Sequence, residues 1–354
     1  MIKGRPYISG IQQIGLGNTD VHETWRWYRE HFGFDVPVFN EAAEAGLMLP
    51  YTGGQPQKRH AILAINLRGG GGLEIWQYTE RTPQAADFQL QVGDLGIYVS
   101  KIKSSDIQAA HAFLAGKEVG LLGDISQNPA GQEHFFLQDL HGNVVEVVES
   151  GHWFQPGKFS MGGVVGCTIG VSDMDASVHF YRGVLGFDEV VFDKSGIFPD
   201  LTCLPGGDGR FRRVLLRHTE PRKGAFSRFF SNNEIELVQA TNRTPRKIFE
   251  GRYWGDPGYI HLCFDITGMA SMKALCEEHG CPFTVDSSDS FDMGDAAGHF
   301  SYIEDPDGTL IEFVETHKMH LIKKLGWKLD LRKRQLDKPL PDWMLKSLRL
   351  GRVK

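Results

Sequence analysis

Asp139-Leu140-His141-Gly142-Asn143-Val144-Val145-Glu146 and Asp305-Pro306-Asp307-Gly308-Thr309-Leu310-Ile311-Glu312 carry the same pattern, 166 residues apart. In each, a turn of Asp and Gly residues feeds a short apolar strand with a glutamate in its middle. Two further stretches share a second signature. Asn18-Thr19-Asp20, Trp27-Tyr28 and Gly33-Phe34 recur 153 positions later as Ser172-Asp173, Phe180-Tyr181 and Gly186-Phe187. The chain therefore reads as one unit written four times: a strand, an amphipathic helix, then strands closing on an apolar run that holds a Glu.

Each unit has its own punctuation. Ile8–Leu16 is a strand, Thr19 or Asp20 can cap the following helix, and Trp25, Tyr28 and Phe32 recur at helical spacing before Gly33 ends it. Gly69 to Gly72 turn the chain into Leu73-Glu74-Ile75-Trp76, where alternation sets Glu74 opposite in facing to its apolar neighbours. Unit two runs from Leu95–Val99 through a helix near Ser105–Ala115 to Glu146. Unit three has a strand at Cys167–Val171, a helix at Ala176–Leu185 and a strand at Asn233–Val238 carrying Glu236. The shared tails Gln77-x-Thr79-x-Arg81-Thr82-Pro83 and Gln239-x-Thr241-x-Arg243-Thr244-Pro245 fix the register between Glu74 and Glu236. Unit four opens at Ile260–Phe264, has its helix near Met269–Glu278 and closes on Glu312. The glycines and proline of Ser150–Gly163 mark a linker, giving expected domains at 1–150 and 163–316. Residues 317–354 form an expected basic, helical extension, with Leu321, Leu325, Leu329, Trp343 and Leu348 spaced to pack.

Composition sets the outer bounds. The 354 residues, 41% of them hydrophobic, suffice for two cores. Five cysteines without a CxxC pair, and no charged-then-apolar leader before Ile8, point to a reducing cytoplasm. No apolar run approaches the roughly 18–20 residues of a membrane span. The net charge of −6 hides a tail with twelve Lys/Arg against three Asp, so the rest of the surface is acidic and nucleic acid is not an expected partner. The tail is expected to affect stability rather than turnover. Association of identical copies is left open.

The Asp-Pro-Asp-Gly…Ile-Glu ending and the Gly-Phe helix end resemble the vicinal oxygen chelate superfamily, which includes glyoxalase I, methylmalonyl-CoA epimerase, extradiol dioxygenases and bleomycin-resistance proteins. The resemblance covers about residues 8–316. It implies an α+β fold of four βαβββ modules paired into two half-open barrels. It also implies metal-ligand positions on the first and last strands of each module: Gln13 and Glu74, Asp94 and Glu146, Gly166 and Glu236, His261 and Glu312. Gly166 has no side chain and cannot ligate. Contiguity and the short linker favour pairing module one with two and three with four. That arrangement gives a metal site of Glu236, His261 and Glu312, with Gln13, Glu74, Asp94 and Glu146 as a second set in a degenerate half. The alternative pairs module one with four and unites Gln13, Glu74, His261 and Glu312.

The resemblance implies a divalent metal ion (Zn, Ni, Co, Mn or Fe(II)) and a small substrate with adjacent oxygens. A glyoxalase- or epimerase-like lyase or isomerase working through an enediolate is the first reading. In it Glu312 is the base, Glu236 faces it, and His299 is a proton carrier on a strand matching that of His134. A ring-cleaving dioxygenase, which uses two His and one Glu, and a non-enzymatic binding protein are the alternatives.

Overall fold

The computed structural model describes residues 5–353 apart from 118, 158, 231, 289–290, 294–295 and 323–326. Module one comprises β1 (Tyr7–Gly17), α1 (Val21–Phe32), β2 (Val36–Glu44), β3 (Lys58–Ile65) and β4 (Gly72–Tyr78). Module two has β5 (Gly96–Ser104), α2 (Ile107–Ala115), β6 (Gly120–Gln127), β7 (Glu133–Gln138) and β8 (Val144–Glu149). Module three has β9 (Met161–Gly170), α3 (Met174–Gly183), β10 (Glu189–Gly196), β11 (Phe211–Arg217), a short α4 (Ser227–Phe230) and β12 (Glu234–Ala240). Module four has β13 (Gly258–Thr267), α5 (Met269–Glu278), β14 (Val285–Asp286), β15 (Phe291–Met293), β16 (Ala296–Glu304) and β17 (Leu310–Ile322). After it come β18 (Trp327–Asp330) and α6 (Asp342–Lys346).

Local chemistry explains the recurring spelling. Asp20 and Asp173 are N-caps, each accepting from two backbone N–H groups in the first turn of its helix, and Gly33 closes α1 at φ 70°. The Asp of each Asp-Gly turn holds the turn shut. Asp139 accepts from His141 N and Asn143 N, and Asp305 from Asp307 N and Thr309 N. The aromatic pair on each helix reads that turn: Tyr28 Oη donates to Asp139 Oδ2 at 3.0 Å and Tyr181 Oη to Asp305 Oδ2 at 2.9 Å.

The strands form two curled half-barrel sheets, in the orders β14-β16-β17-β13-β1-β4-β3-β2 and β10-β11-β12-β9-β5-β8-β7-β6. The sheets cut across the expected boundaries at 150 and 163, because module one pairs with four and module two with three. The linker 150–160 is short because β8 and β9 lie in one sheet, separated only by β5. The crossings between sheets are instead 79–95 and 241–257, which carry the Arg-Thr-Pro tails. Arg81 Nη1 donates to Asp256 Oδ1 at 2.5 Å and Arg243 Nη1 to Asp94 Oδ1 at 2.7 Å, so each tail is pinned to the start of the module it does not precede. One apolar core contains residues of both sheets and of α1, α2, α3 and α5.

The extension is only partly helical. It begins as the continuation of β17 and a hairpin with β18, then passes through short turns to α6. Leu331, Leu340 and Leu345 are buried in a cluster with Phe154, Phe229 and Phe230, and Leu329 and Leu348 pack against it. Trp343, expected to pack, is 55% exposed. Leu325 and the side chain of Leu321 lie outside the described residues. No helix among the described residues is long and apolar enough to cross a membrane.

Candidate metal centre

Antiparallel pairing of β1 with β13 sets Gly15 opposite His261, and parallel pairing of β1 with β4 sets Gly15 beside Glu74. A bare backbone is needed at this crossing. A Cβ on residue 15 would stand 2.4 Å from His261 Cε1 and 2.6 Å from His261 Nδ1. On the other flank, β13 and β17 set Cys263 beside Glu312. The ligand atoms of Glu74, His261 and Glu312 consequently lie within 4.8 Å of one another. Gln13 joins from β1, its Nε2 donating to Glu74 Oε2 at 3.0 Å.

All four side chains are buried. His261 Nε2 is 3.2 Å from Glu312 Oε2 and 3.3 Å from Glu74 Oε2. Burial opposes protonation of this imidazole, but Glu312 and Glu74 outweigh it and push its pKa up to about 9. Gln13 Oε1, His261 Nε2 and Glu312 Oε2 are sealed from solvent without a hydrogen-bond partner. Each such orphan costs ~1–3 kcal/mol, and a cation among them would satisfy all three. The donor set fits a divalent ion: two carboxylates balance its charge, while an imidazole and an amide oxygen add neutral ligands. Aromatic rings wall the cluster. Trp254 stacks on His261 at 6.1 Å and 13°, Tyr302 meets it edge-on at 5.6 Å, and Trp76 packs on Trp254 at 4.7 Å.

The second sheet repeats the register with different chemistry. Thr168 stands where Gly15 does, beside Glu236 and opposite Val99, so Val99 occupies the place of His261. Lys101, beside Glu146, occupies the place of Cys263. Its Nζ lies 2.7 Å from Glu236 Oε2, 3.3 Å from Glu146 Oε2 and 3.4 Å from Glu234 Oε1. Arg213 bridges Glu236 and Asp200 at 2.7 and 2.8 Å, and His134 Nδ1 is 2.6 Å from Glu146 Oε1. Burial would raise the Glu236 carboxyl, but Arg213 and Lys101 overcome it and hold it at about 2. An ammonium thus fills the point between carboxylates. Phe198, Leu201 and Leu204 belong to the buried apolar cluster that also contains Val99, Phe136 and Val238 of this sheet.

The expected site residues therefore separate and recombine. His261 and Glu312 meet Gln13 and Glu74, as the alternative pairing implied. Glu236 and Glu146 face Lys101 in the other sheet, so Glu236 neither joins His261 nor faces Glu312. Asp94 precedes β5 and is five residues from the histidine-equivalent position. It is the counterpart of Asp256 and is occupied by Arg243 and by Arg246 N. His299 lies on the opposite face of β16 from Tyr302, paired at 2.6 Å with Asp286, which also binds Lys273 of α5. Gly15, Trp254, Lys101 and Arg213 escaped the sequence reading. Lys101, a lone charge inside Tyr98-Val99-Ser100-Lys101-Ile102, was the legible signal among them.

The comparisons with known proteins agree with this architecture. No curated protein matches the sequence. The fold is similar to glyoxalase I from Zea mays, at 13% identity over 86% of this chain and 92% of that one, with a TM-score of 0.52. It is also similar to a putative dioxygenase from Bacillus subtilis subsp. subtilis str. 168, at 13% identity over 99% and 98%, with a TM-score of 0.58. At such identities the likeness is one of fold. The profile of the Glyoxalase/Bleomycin resistance protein/Dioxygenase superfamily matches residues 10–147 and again 163–313, and the chain belongs to that superfamily.

Proposed function

We propose that the protein is a metal-dependent enzyme of the glyoxalase or epimerase kind, a lyase or isomerase acting on a small substrate with adjacent oxygens. The observation that carries this reading is the buried set Gln13, Glu74, His261 and Glu312 with its three unpartnered atoms. Those four residues would hold the ion. When bound, a divalent metal supplies Lewis-acid stabilisation of negative charge on neighbouring substrate oxygens. The chain does the rest. Glu312, a buried carboxylate with two oxygens, would give one to the ion and offer the other as the acceptor for a proton leaving the carbon next to a carbonyl. Gln13 orients Glu74 through its Nε2 hydrogen bond. Trp76, Trp254 and Tyr302 exclude water and lower the local dielectric, which strengthens the electrostatics of the site.

A ring-cleaving dioxygenase would require a second histidine, and Gln13 holds the position from which it would come. Turnover assays with 2-oxoaldehyde hemithioacetals and with epimerisable 2-substituted acyl thioesters test the reading. Proton exchange at the substrate carbon that disappears in Glu312→Gln supports it. Oxygen consumption with a catechol would replace it with the dioxygenase reading.

A further inference from the structure

On other elements than the metal centre, Arg222, Arg68 and Lys103 have backbone carbonyls rather than carboxylates as partners of their charged ends. A cavity of about 220 Å³ is lined by Trp153, Phe154, Arg222, Ser227, Arg228 and Asn232, among others. Arg222 Nε is sealed from solvent and has no hydrogen-bond partner, while its Nη2 donates to Leu185 O at 2.9 Å. Behind Trp153, Arg68 and Lys103 both lie over the indole, at 3.9 and 4.8 Å from its centroid. Arg68 Nε and His218 Nε2 are likewise buried and unpartnered. Among the described residues, no carboxylate oxygen comes within 4.0 Å of Arg222, Arg68 or Lys103. The acid that influences Arg222, Asp188, is bound to Thr219.

The electrostatic consequence is visible in the same groups. Burial pulls Arg222 down to about 10 against the opposing effect of Asp188. Burial and Arg68 pull Lys103 down to about 7, and burial and Arg222 pull His218 down to about 4. Positive charge held out of water without a counter-ion is costly. Arg228, which also lines the cavity, rests on Asp342 at 3.1 Å with most of its side chain exposed. Asn232, which carries an amide, is held at φ 60°, a conformation uncommon outside glycine.

We propose that this pocket is an oxyanion site that takes a phosphate or a phosphate-bearing small molecule, with Arg222 and Arg228 as its charged ligands. Donors from separate residues suit a tetrahedral oxyanion better than a two-oxygen carboxylate. Ser227 plays no donor part, since its hydroxyl proton is committed to Gly224 O.

Thermal melting of the full-length protein at fixed ionic strength, with sodium phosphate exchanged for sodium chloride, reads the site. Phosphate should raise the melting temperature saturably. Arg228→Ala should weaken the midpoint by about tenfold or more, as expected for losing a charge-assisted hydrogen bond, and Arg222→Gln should abolish the shift. Arg228 is exposed, so its variant folds and decides the matter if Arg222→Gln does not. His261→Ala should leave the phosphate response intact, which separates this pocket from the metal centre. A response no larger than that to chloride, one unchanged in Arg228→Ala, or one lost in His261→Ala overturns the proposal.

Discussion

Lys101 Nζ lies 2.7 Å from Glu236 Oε2, at the register where the first sheet gathers Glu74, His261 and Glu312. Two repeats of one module pair have thus answered the problem of buried carboxylates differently. One leaves unpartnered atoms suited to a cation, and the other supplies an ammonium and a guanidinium from the chain itself. Removing one partner of a buried ion network leaves its charges uncompensated and typically costs about 3–5 kcal/mol. Lys101→Ala should therefore lose stability on that order in urea unfolding at neutral pH, while metal content stays unchanged. A variant as stable as the parent would show that the network contributes nothing net.

Gly15 is predicted to matter through His261. An alanine there would collide with the imidazole, whose Cε1 stands 2.4 Å from the Cβ position. Gly15→Ala should lower metal affinity by about 10–100-fold, the range found when support of a ligand is lost. Isothermal titration would show it. An unchanged affinity would mean the ring is held by other contacts.

Much of the fold was legible because local chemistry wrote it. Asp20, Asp173, Asp139 and Asp305 each make hydrogen bonds within a few residues, so their spacing shows in the sequence. Module pairing was not legible, because β1–β13 and β5–β9 join through backbone groups that every residue carries. The shortness of 150–160 misled for a physical reason: a short connection keeps modules in one sheet rather than dividing them. Asp94 was misread because only the ladder shows that Val99, five residues further on, is the position equivalent to His261. The second sheet's charges were hidden for the opposite reason: Lys101, Arg213 and Asp200 are far apart in sequence and meet only when folded.

Metal binding should be linked to pH through His261. Its carboxylate neighbours hold the imidazole protonated up to about pH 9, whereas a ligand must be neutral. Binding thus expels a proton below that pH, and affinity should rise by about tenfold per pH unit until the pKa is passed. Calorimetry in buffers of different ionisation enthalpy would count the proton. Affinity independent of pH between neutrality and pH 9 would show that His261 is neutral before the ion arrives.

The extension should stabilise the chain without serving the metal centre. Leu340 is 1% exposed and packs with Phe229 and Phe230. Leu340→Ala should cost about 2–5 kcal/mol, the range for truncating a buried leucine, with the metal content of the folded protein unchanged. Loss of metal from a fully folded variant would tie the extension to the site.

The most direct measurement is the metal-to-protein ratio of the purified chain and three variants by elemental mass spectrometry. A single divalent ion per chain is expected in the parent and in Glu236→Gln, and none above trace in His261→Ala or Glu74→Gln. A parent that carries no ion and gains no stability from added divalent metals would contradict the metal centre. Ion retained in His261→Ala but lost in Glu236→Gln would place the centre in the other sheet.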